Sequence, residues 1–312
     1  MPRRRLREVL NSNKSLPVGW RSVFGGSMNF LLSSELEYAV TQPVTFLLSV
    51  RARECAGQRV VNEHFTISHA VNHVLVRCEA TGTRFDRLHA EQSGNYVIRY
   101  EAEVEVTPTM FPACSLVAGG PETFGLEVLP YLYPSRYCQS DRIGRLSSDL
   151  VSHIALPEDQ VRAIVDWISS RVSYVSGSTS VATSALDTLV ERAGVCRDFA
   201  HLGIALCRAM NIPARYFTGY AHELEPPDFH ACFETWIGGR WLFWDATGLA
   251  SPDGVVQIGM GRDASDCSVC TSFGPLQLVR QEVSCRATDP NYRKLTPADL
   301  SKTSYSIEWP RQ

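Results

Sequence analysis

The chain has 312 residues, of which 44% are hydrophobic and 20% charged, and its formal net charge at pH 7 is -3. This length suffices for about two domains with a sizeable core, and the balance of residue types is that of a soluble globular enzyme. The near-neutral charge excludes a strongly basic protein that binds nucleic acid or membrane surfaces. No apolar run reaches the roughly 18 residues that a membrane-spanning helix needs.

The first seven residues contain four arginines, and no apolar segment of the secretory type follows them. Residues 1–27 are therefore predicted to be a disordered extension, and the protein is predicted to be cytoplasmic. Ten cysteines are compatible with that compartment if most are reduced, buried and apolar. Cys267 and Cys270 have CxxC spacing, but no second ligand pair accompanies them, so no metal site is predicted there.

Residues 28–135 form the first predicted domain, which is rich in strands. Residues 46–51 carry β-branched and other apolar residues, and residues 96–106 alternate apolar and charged positions, as a half-buried strand does. Gly94 and Asn95 supply a turn before the second of these runs. The pattern predicts an antiparallel β-sandwich, and no chemistry is visible on it.

Residues 136–285 form the second predicted domain, which opens with helices. Pro157, followed by two acidic residues, is a good helix start, and apolar spacing extends this helix over residues 157–172. A polar loop leads to a second predicted helix over residues 183–192. Residues 286–312 are predicted to be a C-terminal tail.

The third predicted helix begins at Cys196. Its apolar residues recur at helical spacing, and Asn211 and Pro213 end it. At a helix N-terminus the free backbone N–H groups and the helix dipole stabilise a thiolate, and the same N–H groups can receive an oxyanion. Asp198, in the first turn, suits a helix start and can be purely structural. Cys207 lies mid-helix and is interpreted as a core residue.

Two strand-like runs, residues 230–237 and 240–245, flank a two-residue glycine turn typical of a β-hairpin. In the register that this turn sets, Asp245 falls opposite Cys232. Cys232 is two residues from His230 and on the same face of the strand. His230 and Asp245 are thus diagonal neighbours, about 7–8 Å apart at the backbone, and turn chemistry alone predicts a His–Asp pair.

Cys196, His230 and Asp245 supply a thiolate, an imidazole and a carboxylate, which are the parts needed for acyl transfer through a thioester. His201 is the best rival base. It lies five residues after Cys196 on the same helix, so it points about 140° away from the thiol. Glu234 shares the face of His230 and is assigned no chemical role.

Several segments in combination resemble the bacterial transglutaminase-like superfamily, in its two-domain form with an N-terminal β-domain. They are AGVCRDFAH at residues 193–201, IPARY at 212–216, GY at 219–220, DFHA at 228–231, and Trp241 with DAT at 245–247. The resemblance covers about residues 28–280, and it is specific as a set, whereas GVC alone is a weak signal.

This resemblance implies an α+β fold. An antiparallel β-sandwich precedes a papain-like core, in which a helix bearing the cysteine packs on an antiparallel sheet that carries the base. It puts the nucleophile on Cys196, the base on His230 and the orienting carboxylate on Asp245. The sequence departs from the family pattern at Cys232, where a large aromatic residue is expected, and this leaves the substrate preference open.

The predicted function is acyl transfer on peptide or carboxamide bonds. Hydrolysis by a cysteine protease or amidase is favoured over a transglutaminase reaction, because water is always available. No metal or organic cofactor is predicted. The predicted partners are a protein or peptide substrate and, for transfer, an amine, with no nucleic acid or membrane. The oligomeric state stays open. Tyr174, Thr183 and Cys232 are candidate substrate-binding residues.

Two alternatives stay open at this point. The same fold also serves non-catalytic protein-interaction modules, and fold alone does not decide between them and an enzyme. The arylamine N-acetyltransferase type uses the same order of cysteine, histidine and aspartate, with a coenzyme A thioester as acyl donor, but no phosphate-binding loop is visible in the sequence.

Overall fold

The computed structural model describes residues 23–24, 26–114, 119–290, 292–295 and 297–307. Most of the predicted N-terminal extension, residues 1–27, lies outside the described residues. In chain order the elements are β1 (Val23–Phe24), β2 (Met28–Val40), β3 (Val44–Leu48), β4 (Gln58–Ile67), β5 (Asn72–Arg77), β6 (Arg84–Ala90), β7 (Gly94–Val106), β8 (Thr109–Pro112), α1 (Gly144–Val151), α2 (Pro157–Arg171), β9 (Ser173–Tyr174), α3 (Ala185–Glu191), β10 (Ala193–Gly194), α4 (Cys196–Ala209), β11 (Ala214–Ala221), β12 (His230–Ile237), β13 (Arg240–Trp244), β14 (Val255–Gly261), β15 (Cys270–Ser272), β16 (Gln277–Ala287), α5 (Pro297–Leu300) and β17 (Thr303–Ser306). Within these ranges, no helix combines the length and apolar character needed to cross a bilayer.

The N-terminal half folds as two four-stranded antiparallel sheets that face each other. Their strand orders are β16-β2-β7-β4 and β15-β3-β6-β5. Burial alternates along β2, β3 and β7, as it must when one face of each strand is turned to a core. One hydrophobic cluster joins the two inner faces, with Phe30, Phe46, Leu88 and Ile98 among its fully buried members. The predicted antiparallel β-sandwich is confirmed.

Two strands of this sandwich come from the far end of the chain. β16 pairs with β2 from Gln277 opposite Ala39 to Ala287 opposite Phe30, and β15 pairs with β3. β17 likewise pairs with β8. Strand pairing therefore crosses the predicted domain boundaries at residues 135 and 285.

The second half is built on the antiparallel sheet β13-β12-β11-β14. Helix α4 packs against β11 and β12, and all its residues from 198 to 208 are buried. A second hydrophobic cluster joins α1–α4 to this sheet. The helix predicted over residues 157–172 is observed as α2, the one over 183–192 as α3 and the one beginning at Cys196 as α4. The predicted α+β core, with a cysteine-bearing helix on an antiparallel sheet, is confirmed.

The sheet of the core also packs against the sandwich. Tyr220 of β11 is buried in the sandwich cluster and donates its hydroxyl hydrogen to the Val50 carbonyl oxygen at 2.8 Å. The Gln58 side-chain amide donates to the Gln257 carbonyl oxygen of β14 at 2.8 Å. These contacts hold the site-bearing sheet against the N-terminal strands.

Candidate active site

Cys196 is the first residue of α4 and is partly exposed. The carboxylate of Asp198 holds this helix start in place. It accepts hydrogen bonds from the Val195 N–H at 2.9 Å and the Thr179 hydroxyl at 2.8 Å, and it pairs with the Arg197 guanidinium at 3.0 Å. Asp198 is fully buried, so it orders the turn that presents the thiol and takes no part in chemistry at the surface.

The β12–β13 hairpin brings His230 and Asp245 together. Ile237 pairs with Arg240, as the two-residue turn predicts, and the pairing continues to Phe233 opposite Trp244. Asp245 follows directly after β13, and the His230 Nε2–H donates to Asp245 Oδ2 at 3.0 Å. The predicted His–Asp contact is therefore present in the fold.

Both carboxylate oxygens of Asp245 accept hydrogen bonds. Oδ1 accepts hydrogen bonds from the Thr247 N–H at 2.8 Å and the Thr247 hydroxyl at 2.7 Å, and Oδ2 accepts the Ala250 N–H at 2.9 Å in addition to His230. Burial raises the pKa of Asp245, but His230 and these hydrogen bonds outweigh burial and lower it below its usual value. The group is consequently a fixed carboxylate that orients the imidazole.

His230 is 2% exposed. Burial on its own lowers the pKa of His230, but the acidic neighbours Cys232 and Asp245 and hydrogen bonds to Asp245 and Cys196 raise it well above its ordinary value. Burial also raises the pKa of Cys232 to about 12, so at neutral pH Asp245 is the neighbour that carries the negative charge. The ring is thus held as an imidazolium beside the Cys196 thiol.

The candidate substrate-binding residues fall in different places. Burial and the neighbouring Cys196 thiol raise the pKa of Tyr174, and this residue is 40% exposed. Cys232 is buried beside His230. Thr183 hydrogen-bonds Ser180 in the loop before α3, through its N–H at 3.2 Å and its hydroxyl oxygen at 3.0 Å. The structure brings Tyr174 and Cys232 to the cysteine and histidine, whereas the hydrogen bonds of Thr183 lie within its own loop.

Sequence reasoning missed Asp228 at this site. Burial raises the pKa of Asp228, and its carboxylate accepts the Phe229 N–H at 2.7 Å and a hydrogen bond from the Gln281 side chain while acting electrostatically on His230. Asp228 stands in the DFHA segment, so its proximity to His230 was a usable signal. Gln281 lies on β16, and nothing in the local pattern pointed to it.

His201 was rejected as the base and Glu234 was given no chemical role; both make contacts within the protein interior. The His201 ring stacks on Tyr137 with centroids 5.0 Å apart, and its Nε2 accepts the Ala264 N–H at 3.1 Å. Burial lowers the pKa of His201 to about 3, which keeps the ring neutral. Glu234 is fully buried and pairs with Arg215 at 2.6 Å.

Comparison with known proteins agrees with this architecture in both halves of the chain. Residues 145–246 match the model of the transglutaminase-like superfamily, and residues 28–112 match that of the bacterial transglutaminase N-terminal domain. The chain is 40% identical to a candidate cysteine protease from Cytophaga hutchinsonii. That crystal structure superposes with a TM-score of 0.89, covering 92% of this chain and 100% of the other.

Mycobacterial proteins are also similar. An uncharacterised protein of Mycobacterium tuberculosis is 27% identical over 290 residues, which is 82% of this chain and 88% of the relative. One of Mycobacterium leprae is 35% identical over 118 residues, and the match spans 42% of that relative's length. With both of its halves matched and a 40% identical structure covered from end to end, the chain belongs to the transglutaminase-like superfamily.

Proposed function

We propose that this protein catalyses acyl transfer on peptide or carboxamide bonds through a thioester on Cys196, with water as the favoured acceptor. Membership of the superfamily supports a thiol-dependent enzyme. The observation that carries the proposal is the hydrogen bond between the His230 imidazole and the Asp245 carboxylate, with the Cys196 thiol at the start of α4 acting on the same imidazole. A nucleophile, a base and a group that orients the base are the parts that covalent acyl transfer requires.

In the first half of the proposed reaction, the Cys196 thiolate attacks the carbonyl carbon of the substrate. The carbonyl oxygen becomes an oxyanion that the backbone N–H of Cys196, at the N-terminus of α4, can stabilise. The tetrahedral intermediate then collapses. The C–N bond breaks, the imidazolium of His230 gives its proton to the leaving amine, and a thioester stays on Cys196.

In the second half, the neutral His230 removes a proton from the acceptor. Water as acceptor yields a carboxylic acid and regenerates the thiol, whereas an amine yields a new amide bond. The raised pKa of His230 suits the first half, because it keeps a proton on the ring for the leaving group. Cys196 is partly exposed, so solvent can reach the thioester.

A cleft beside the site supports a peptide as the substrate. Its volume is about 530 Å³, within the range of ligand-binding clefts. It is lined by residues of β2, β7 and β16 and by Pro227. Gln281, on its wall, hydrogen-bonds Asp228 near His230. The sandwich would thereby supply part of the surface along which a polypeptide lies.

The test uses the Cys196→Ala variant on a panel of peptides and carboxamides, with and without added amines. We expect turnover to vanish while thermal unfolding stays as in the wild type. Cys207→Ala is the matched control, since Cys207 is buried on the same helix, and it should retain turnover. Full activity in Cys196→Ala would overturn the proposal.

The rate at which iodoacetamide labels Cys196 provides a second readout that needs no known substrate. At neutral pH we expect His230→Ala to slow labelling at least about tenfold, since the imidazolium no longer stabilises the thiolate. Slow labelling unaffected by this substitution would favour the interaction module. Transfer from a simple acetyl thioester to an arylamine would favour the N-acetyltransferase alternative.

A further inference from the structure

A second cavity, of about 340 Å³, lies beside Asp245, and its volume is within the range of ligand-binding sites. Its walls come from helix α2, strand β13, the segment 248–252 and residues 300–305, which include the start of β17. Asp245 is among the described residues that line it, whereas Cys196 and His230 are not. The cavity is therefore distinct from the place at which the thiol would meet a substrate.

Aromatic and aliphatic side chains form much of the wall of this cavity. Phe243 and Trp244 of β13 and Tyr305 of β17 line it, and all three residues are buried. Val165 of α2 and Leu300 add aliphatic surface. Walls of this kind favour a ligand with an apolar and preferably flat body.

The charges around the cavity leave one carboxylate without a counterion. The Arg162 guanidinium lines the cavity but pairs with the buried Glu158 at 3.3 Å, and Asp245 pairs with His230 at 3.0 Å. Asp166, one helical turn after Arg162, is exposed and also lines the cavity. No described residue forms an ion pair or hydrogen bond with its side chain. The remaining negative charge favours a ligand that carries one positive charge.

Part of the wall belongs to the segment that holds Asp245 in place. Gly248 and Ala250 line the cavity. The Ala250 N–H donates to Asp245 Oδ2 at 2.9 Å, and the Thr247 hydroxyl donates to Oδ1 at 2.7 Å. A molecule in the cavity therefore contacts the segment that positions the carboxylate.

We propose that this cavity binds a small organic ammonium ion with an aromatic body, of the arylalkylamine class. The aromatic body packs against Phe243 and Tyr305, and the ammonium group pairs with the Asp166 carboxylate. Binding requires no turnover, so the inference does not depend on the proposed reaction of Cys196.

The experiment titrates the reduced full-length protein with phenethylammonium chloride and follows binding by calorimetry. We expect one molecule per chain, with a dissociation constant at or below about 1 mM, which is attainable for a ligand of this size. Phenethyl alcohol has the same aromatic body without the charge and should bind at least about threefold more weakly. Asp166→Asn should weaken binding of the amine by a similar factor, because it removes the carboxylate that pairs with the ammonium group.

Two carboxylate variants are the matched controls. Asp149→Asn removes an exposed carboxylate of α1 that lies 3.9 Å from Arg145, and Glu101→Gln removes one from the cleft lined by β2, β7 and β16. Both should bind the amine as the wild type does. Val165→Phe, which adds a ring to the wall of the cavity, should lower the affinity at least about tenfold.

Absence of saturable binding by a correctly folded wild-type protein would overturn the inference. Equal affinity of the wild type and Asp166→Asn for the amine would also overturn it, and so would equal affinities of the wild type for the amine and the alcohol. Loss of binding in Glu101→Gln with full binding in Asp166→Asn would place the amine in the other cleft. Thermal unfolding of each variant shows whether it is folded, and Asp166→Asn, at an exposed helix position, tests the inference even if Val165→Phe is not.

Discussion

At the scale of single residues, the environment of Asp245 decides how His230 is presented to the thiol. The carboxylate is fixed by Thr247 and Ala250 and carries the charge that keeps the ring protonated. We expect Asp245→Asn to lower kcat by about 10²- to 10⁴-fold with little change in KM, because the amide weakens both the orientation and the charge. Steady-state kinetics on any substrate found by the panel would measure this.

The control for that variant is Asp266→Asn, which removes a carboxylate that pairs with Arg262 at the surface. Its kcat should match the wild type. Equal kcat in the Asp245 and Asp266 variants would show that Asp245 does not orient the base.

The low pKa of the buried His201 predicts that the stability of the protein depends on pH. Its pKa is about 3 in the folded protein against an ordinary value of 6.5, so below pH 6.5 the unfolded chain binds a proton that the folded chain does not. The free energy of unfolding should be unaffected by this group above pH 6.5 and should fall as the pH drops toward 3, by about 3–5 kcal/mol in all.

Urea denaturation of the wild type and of His201→Gln between pH 7.5 and 4 would measure this contribution. The glutamine variant can still accept the Ala264 N–H, and it should be less stable at pH 7.5 but show a flatter decline. Parallel declines in the two proteins would assign the acid sensitivity to other groups.

At the scale of elements, helix α4 packs closely against strand β12 at Gly203. A Cβ added there would lie 2.6 Å from Cε1 of the Phe233 ring, which is closer than carbon atoms approach. We expect Gly203→Ala to lower the free energy of unfolding by about 1–3 kcal/mol, despite the higher helix propensity of alanine. Chemical denaturation would measure it. Gly144→Ala is the matched control, because a Cβ there meets nothing within 4 Å, and it should be neutral or stabilising.

The elements nearest the site were also the ones best predicted from sequence. The start of α4 is specified by local capping and apolar spacing, and the β12–β13 register by a two-residue turn, so Cys196, His230 and Asp245 could be located without a structure. Local patterns also excluded His201 as the base that acts on Cys196. They carry no information on which distant strands pair, and for that reason the contact between Gln281 and Asp228 was not foreseen.

At the scale of the whole molecule, the sandwich and the core share strands and packing. β16 belongs to the sandwich but follows the core in the chain, and Tyr220 of the core is buried in the sandwich cluster. We therefore expect one cooperative transition. Leu88→Ala, in the sandwich, should lower the free energy of unfolding by about 2–5 kcal/mol. It should lower the free energy of exposing the Cys207 thiol, which is buried in the core, by the same amount.

Circular dichroism and alkylation of Cys207, followed in the same urea series, would measure global unfolding and exposure of the core. Coincident midpoints in the wild type and in Leu88→Ala are the expected result. A Cys207 midpoint that the substitution leaves unchanged would mean that the two halves unfold independently.

The return of β16 to β2 also bears on how the chain is made. Leading domains ordinarily fold during translation, before the rest of a chain has left the ribosome. Here one edge of β2 has no partner until residues 277–287 emerge, and an unpaired edge invites association with other chains. The N-terminal half is synthesised first, but its sheet is complete only after β16 has been made. Until then the nascent chain exposes an unpaired strand edge at which it can aggregate.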